Sequence, residues 1–219
     1  MKSIFDLDTP LMRFLTKVGE MIIVNVLFLV CCLPVVTAGA SIAALCKISQ
    51  DIILDEGYGI VRTFFRAFRE NFKQATIAWI VILVVMVALG ANWMLVFTFL
   101  NGTTLRSLLN GLLGVLAVVV ISIAVYLFPL LTRYQNTLKE HVMNAMILSV
   151  VKLLRTVVMV LMTLAPVLIA WYSLQMFVYT LVFWIVIGFA FVNYMGTQLL
   201  LPVFREMEKN NGKDMKILK

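Results

Sequence analysis

The sequence has few charged residues. Of its 219 residues, 13% are charged and 63% are hydrophobic, whereas a soluble domain has about 25% charged and about 45–50% apolar residues. A soluble fold of this size has no place to bury so much apolar surface. The composition therefore excludes a disordered chain, a disulfide scaffold, a nucleic-acid-binding domain and nearly every class of soluble enzyme, and it predicts a polytopic membrane protein.

Residues and motifs that build catalytic or metal sites are also scarce. The chain has one histidine, His141, and three cysteines, Cys31, Cys32 and Cys46, with no CxxC or other zinc spacing. It contains no Walker A, GxGxxG, HExxH or GxSxG motif. We therefore expect no catalytic residue, no metal and no cofactor, and the sequence predicts that the protein is not an enzyme. A membrane-embedded enzyme would need a cluster of ionisable residues around His141.

Three long stretches are nearly free of charge, and they define the predicted spans. Met21–Cys46 and Thr156–Phe204 have no charged residue, and Ala75–Leu131 has only Arg106. A helix needs about 20 apolar residues to cross a bilayer, and backbone groups in hydrocarbon must be bonded internally. We predict an all-α transmembrane bundle of about six membrane helices in one domain, 1–219. Its segments are a broken helix pair at 9–33 and 41–55, spans at 75–100, 107–131, 154–172 and 175–203, an amphipathic helix at 60–73 and a basic tail at 205–219.

The basic residues fall on one side of this arrangement. All 18 Lys and Arg residues except Arg106 lie before Met21, in 47–74, in 133–155 or after Phe204. Basic residues close to span ends stay in the cytoplasm. We therefore predict a multi-pass cell-membrane protein with both termini in the cytoplasm and with external turns near Arg106 and Ser173.

The first apolar stretch contains a helix break. Pro34 interrupts a helix, and the residues from Thr37 to Ser41 are small and flexible. We predict a break at Pro34–Gly39 that includes Thr37, with Ser41 as the N-cap of a short return helix. The sequence leaves open whether this pair crosses the membrane fully or re-enters partway.

Lys47 follows the predicted break and lies one turn before Asp51. One interpretation makes Lys47 a gate or substrate contact near the break. The other makes the two residues an ion pair at a helix end, close to the membrane boundary.

A signal peptide is a competing interpretation of the same N-terminal region. Arg13 and Lys17 would form its charged part, Ile22–Val36 its apolar part and Ala38–Ala40 its cleavage site. Against this interpretation, the charged part is long and carries three acidic residues, Asp6, Asp8 and Glu20.

The segment 60–73 is amphipathic. Arg62, Arg66, Arg69 and Lys73 recur at helical spacing, and an aromatic face lies beside them. A helix with these two faces suits the headgroup layer of a membrane. We predict that the four basic residues contact either a protein partner or the headgroups of membrane lipid.

Three segments of the chain resemble the YesL-like family of bacterial integral membrane proteins. They are Asp8–Leu15 (DTPLMRFL), Cys32–Ser41 (CLPVVTAGAS) and Phe64–Thr76 (FFRAFRENFKQAT). Members of that family are single-domain proteins of about this length, mostly from Gram-positive bacteria, and their role is not established. They are often encoded beside carbohydrate ABC importers and glycan-degrading enzymes. The resemblance therefore implies a context but no reaction and no catalytic residues.

Two hypotheses for function follow from the resemblance and the missing motifs. The first is a non-enzymatic accessory or regulatory partner of a carbohydrate ABC importer. Such a protein would contact membrane lipid and the permease subunits of the importer, and it would not bind nucleic acid. A homo-oligomer is also compatible with the sequence. The alternative is a small transporter or channel, because interrupted helices line substrate sites in transporters. A water-filled cavity beside the break, lined by Asn25 and Asn193, would favour the alternative. Otherwise these two amides predict hydrogen bonds between helices.

Overall fold

A computed structural model describes residues 10–56, 59–99 and 104–211. Nearly all of these residues are helical, and there is no strand among them. The helices are α1 (Pro10–Cys32), α2 (Ala38–Leu54), α3 (Ile60–Phe99), α4 (Thr104–Arg133), α5 (Leu138–Val151), α6 (Leu153–Tyr172), α7 (Leu174–Phe183) and α8 (Phe189–Asn211). A 3₁₀ turn at Val35–Thr37 joins α1 to α2, and a π-helical segment at Trp184–Gly188 joins α7 to α8.

Six helical stretches in this part of the chain are long and apolar enough to cross a membrane. The prediction of an all-α bundle with about six membrane helices is therefore confirmed, and the chain is a multi-pass membrane protein. The six stretches are Phe14–Cys32, Val35–Leu54, Ile60–Phe99, Thr104–Arg133, Leu153–Tyr172 and Leu174–Lys209.

Two helices are longer than the sequence pattern indicates. The amphipathic segment 60–73 and the span at 75–100 form one helix, α3, because no glycine or proline interrupts residues 60–89. Helix α8 continues through 205–211, so the first half of the predicted basic tail is helical; residues 212–219 lie outside the described residues. Residues 100–103, which belong to the predicted external turn near Arg106, also lie outside the described residues.

Polar contacts bring the charged parts of the helices to one end of the bundle, here called the charged end. Lys17 Nζ lies 3.1 Å from Asp55 Oδ1, which joins the start of α1 to the end of α2. Gln50 of α2 donates to Pro129 O at 3.2 Å, which adds the end of α4. Ion pairs of Arg133 with Glu208 (2.8 Å) and of Lys152 with Glu206 (2.9 Å) then add the start of α6 and the end of α8. The structure thus gathers the regions that the charge pattern assigns to one side.

The turn between α1 and α2 is held by Thr37. Its hydroxyl donates to Cys31 O at 2.7 Å and to Pro34 O at 2.8 Å. The predicted cap is wrong in detail, because α2 already begins at Ala38 with Thr37 in the N-cap position. Ser41 instead lies inside the helix, where its hydroxyl donates back to Thr37 O at 3.1 Å, an i−4 bond that serine makes within helices.

The tip of the α1–α2 hairpin lies beside the middle of α3. The indole of Trp79 donates to Val35 O at 2.8 Å. Helix α3 continues for 20 residues beyond Trp79, to Phe99, which is about 30 Å of helix. Residues 75–99 carry no charge and are long enough to cross the membrane alone. The hairpin therefore has the geometry of a re-entrant pair and ends far short of the end of α3 opposite the charged end, although each of its helices could span by length.

Helix α2 lies at the centre of the bundle. Its buried alanines pack in two clusters. Ala43 packs with the α3, α4 and α8 residues of one cluster, and Ala44 packs with α1 and the start of α3. Such small residues let helix backbones approach closely in membranes. Gly39 lies at the closest approach, where an added Cβ would be 2.5 Å from Trp79 Cβ and would also clash with Ala75 O.

We predict that Gly39→Ala destabilises the protein by about 1–3 kcal/mol, because the new methyl group meets the α3 backbone, which cannot move aside at low cost. The matched control is Gly90→Ala in α3, where an added Cβ meets nothing within 4 Å. The control should be neutral or slightly stabilising, since alanine is favoured over glycine in helices. The measurement is thermal unfolding of the two purified variants in detergent. Equal midpoints for both variants would contradict the close α2–α3 contact.

Candidate functional surface and cavity

The four predicted basic residues lie along one exposed strip at the start of α3, here called the basic strip (Arg62, Arg66, Arg69 and Lys73). The opposite side of the same helical turns is fixed in the core by Phe64 and Ala67, which pack with α1 and α2. Helix periodicity places the two sets on different faces. The burial of Phe64 and Ala67 therefore turns the basic strip outward.

The basic strip has no ion pair among the described residues, although Arg66 and Glu70 have the i,i+4 spacing for one. Four other basic residues at the charged end are ion-paired: Lys17, Lys47, Arg133 and Lys152. Exposed apolar side chains, Val61, Phe65 and Phe72, lie within the same turns. The result is a surface that combines free positive charge with exposed aromatic rings.

Lys47 is not close to the helix break. It lies two turns along α2 from Gly39, toward the charged end, and its Nζ is 2.8 Å from Asp51 Oδ1. The prediction that these two residues pair is confirmed. The structure thus brings Pro34, Thr37, Gly39 and Ser41 together at the hairpin tip and leaves Lys47 apart from them.

A small polar cavity of about 150 Å³ lies between α1, α2 and the start of α3 at the charged end. Its carboxylates are Glu20, Asp51 and Asp55, but Lys47 and Lys17 neutralise the second and third. No group of His, Cys, Asp and Glu in the described residues has the arrangement of a metal site. This cavity is part of an internal charge network.

The link between α4 and α5 also lies at the charged end. Burial and the neighbouring Glu208 carboxylate raise the pKa of Tyr134 to about 12. Hydrogen bonds from Thr137 in a capping box lower the pKa of Glu140, and burial lowers the pKa of His141. The single histidine is therefore neutral near pH 7 and adds no positive charge to this end.

Asn25 joins α1 to the π-helical segment. Its side chain is 0% exposed, and its Nδ2 donates to Trp184 O at 3.1 Å and to Ile185 O at 2.7 Å. Its Oδ1 accepts from Ala190 N at 2.9 Å. A π-helical segment disturbs the regular backbone ladder, and one carboxamide here bonds three backbone groups around it.

The π-helical segment itself was not predicted from the sequence. The ring of Trp184 packs so closely on Gly188 that an added Cβ would lie 2.6 Å from Trp184 Cε3. A tryptophan four residues before a glycine inside an uncharged stretch is only a weak signal for a π-helical segment. The segment could not be predicted from that signal alone.

A large cavity of about 600 Å³ lies among α2, α3, α4, α6 and α8. Helix α2 contributes Ile42, Leu45 and Cys46, and α3, α4, α6 and α8 contribute the walls. None of the described residues that line it is charged. This cavity is apolar, and so it differs from the water-filled cavity beside the break that would favour a transporter. Of the two amides named for that cavity, Asn193 lines this one. Asn25 does not, because its carboxamide is bonded to the π-helical segment.

Among the comparisons with known proteins, one family model matches about one third of the chain. The model of a family described as "Protein of unknown function, DUF624" matches residues 21–93, from the second half of α1 almost to the end of the long α3. This range contains two of the three segments that carry the YesL-like resemblance and is consistent with it. The chain matches no curated protein and no solved structure.

We predict that Asn25→Leu lowers the stability of the protein by about 1–3 kcal/mol, because a side chain of similar size removes three buried hydrogen bonds. The control is Asn92→Leu, since Asn92 is exposed and bonds only Ala88 O of its own helix, at 2.8 Å. Thermal unfolding in detergent measures both. A fall in midpoint for the Asn92 variant as large as for the Asn25 variant would contradict the assigned role.

Proposed function

We propose that this protein is a non-enzymatic accessory partner of another membrane complex, which it binds through the basic strip. The observation that carries the proposal is the exposure of Arg62, Arg66, Arg69 and Lys73 without ion partners among the described residues. The YesL-like resemblance supports a carbohydrate ABC importer as the complex. The family whose model matches has no assigned function, so this choice depends on the resemblance.

The composition of the strip suits a protein partner. Charged groups at the rim of an interface steer association, and exposed aromatic rings supply most of the contact energy. Phe65 and Phe72 are exposed rings in the same helical turns as the basic strip. We expect the partner surface to be acidic with an apolar centre, as on a cytoplasmic loop of a permease subunit.

The proposal includes a location. It places the charged end in the cytoplasm of a bacterial cell, with both termini on that side, because the basic residues gather there. It also keeps residues 10–40 in the mature protein, since Met21, Val24 and Asn25 fill buried positions against other helices.

A small transporter or channel is the second candidate, and the cavity of about 600 Å³ favours it. The lining argues against a sugar as the solute. A sugar hydroxyl that leaves water without a hydrogen-bond partner costs free energy, and the polar lining residues are few: Thr163, Asn193 and Thr197. Both threonine hydroxyls already donate to backbone carbonyls of their own helices.

We predict that replacing the basic strip removes the partner. The variant Arg62→Gln, Arg66→Gln, Arg69→Gln, Lys73→Gln should recover at least about tenfold less permease than the wild type. Exposed substitutions of this kind change stability little. The measurement is co-purification of the tagged protein from its native host in mild detergent, with quantitative mass spectrometry of the recovered proteins.

The control variant is Lys139→Gln, Arg205→Gln, Lys209→Gln, which removes exposed charge at the same end but on α5 and α8. It should retain the partner. Recovery of the wild type alone or only as a homo-oligomer would contradict the accessory role, and an equal loss in both variants would show an effect of net charge. Solute flux in vesicles that contain only this protein would support the second candidate instead.

A further inference from the structure

We propose that the large cavity is a binding site for one acyl chain of a membrane lipid. The cavity lies beside residues 79–87 of α3, within the stretch 75–99 that carries no charge. At this depth the surrounding solvent is hydrocarbon, and water is scarce. This site is independent of the basic strip, and neither proposal depends on the other.

The cavity is continuous with the lipid-facing surface of the bundle. Val87 lines it and is 62% exposed. A chain can therefore enter from the side, between α3 and the neighbouring helices, while its polar headgroup stays outside. The volume of about 600 Å³ lies in the range of roughly 300–1,000 Å³ that is usual for ligand sites.

The chemistry of the lining selects an aliphatic occupant. Its walls are aliphatic, aromatic and thioether side chains, with Met86, Met159 and Met162 among them. Methionine adapts its shape to irregular apolar ligands. Thioethers and rings offer a methylene chain close contact and offer a polar solute almost no hydrogen bonds.

The polar atoms of the lining are turned to internal partners or are buried. Asn193 Nδ2 lies 3.3 Å from Cys46 Sγ. Asn193 Oδ1 and Trp184 Nε1 have no partner among the described residues, but both atoms are buried within the protein. These polar atoms are too few to replace the hydrogen bonds that a polar solute makes with water, whereas an acyl chain needs no such bonds.

The re-entrant hairpin closes the cavity toward the charged end. Ile42, Leu45 and Cys46 of α2 line that side. Because α2 is fixed to α3 at Gly39 and is ion-paired internally through Lys47 and Asp51, this floor is part of the packed core. A chain therefore has an entrance on the lipid side and a closed inner end.

Ala124 offers a position at which the cavity can be filled. It lines the cavity from α4 and is half-buried. Ala124→Phe would place a ring in the space that a chain would take. Ala88→Phe is the matched control, because Ala88 is exposed on α3 and does not line the cavity. Thr163→Phe provides a second filling variant from α6, with a hydroxyl that bonds only its own helix.

The test measures where the acyl chains of phospholipid cross-link to the protein. Each full-length variant is reconstituted in phosphatidylcholine vesicles whose acyl chains carry a photoreactive diazirine, irradiated and digested. We expect wild type and Ala88→Phe to show cross-links on the cavity residues of α6 and α8, such as Met159 and Asn193. We expect at least about tenfold fewer cross-links there in both filling variants.

Several outcomes would overturn the proposal. One is an equal yield at Met159 and Asn193 in wild type and in filling variants that remain monodisperse. Another is cross-linking confined to outward residues such as Val118, which is exposed on α4. Because a filling variant can misfold, the elution profile and the thermal midpoint of each variant are measured beside the control, and the wild-type map alone decides whether a chain reaches the cavity.

Discussion

The contact between the hairpin tip and α3 determines how the rest of the bundle is arranged. Gly39 allows α2 to approach the α3 backbone at Ala75, and Trp79 donates to Val35 O across the tip. These contacts fix the depth of the α1–α2 pair. With the pair at this depth, Phe64 and Ala67 are buried beneath it, and the basic residues of the same turns face outward.

The opposite side of the hairpin depends on Asn25. In hydrocarbon, a backbone group without a partner costs several kcal/mol, so a π-helical segment inside a span needs bonds from elsewhere. The carboxamide of Asn25 supplies them to Trp184, Ile185 and Ala190. The hairpin is thereby attached to α3 on one side and to the long α7–α8 stretch on the other, and it closes the apolar cavity between them.

Much of the fold could be predicted from the sequence, because a helix in lipid bonds its own backbone and therefore appears as an uncharged stretch. Charge placement also predicted correctly which segments meet at one end. The depth of the hairpin could not be predicted, since it depends on how closely Gly39 fits against Ala75. The predicted cap at Ser41 was wrong because serine can also bond a carbonyl four residues earlier in a helix.

The candidate site was predictable in part. The helical spacing of Arg62, Arg66, Arg69 and Lys73 predicted their common face. That they have no ion partner in the described part of the chain could be learned only from the positions of the surrounding helices. The amides Asn25 and Asn193 looked equivalent in sequence. Only packing separates them, since one bonds the π-helical segment and the other lines the cavity. The basic strip and the apolar cavity are therefore the features on which a functional hypothesis can rest, since the sequence contains no catalytic motif.

The most direct test of the account is the depth of the hairpin tip in the membrane. Single-cysteine variants at Val36, Leu174 and Lys209, in a chain whose three native cysteines are replaced by alanine, would be treated on intact cells with a membrane-impermeant maleimide. All three side chains are exposed in the bundle. We predict labelling at position 174 on intact cells, labelling at 209 only after permeabilisation, and no labelling at 36 from outside. Labelling at 36 as efficient as at 174 would contradict a re-entrant hairpin.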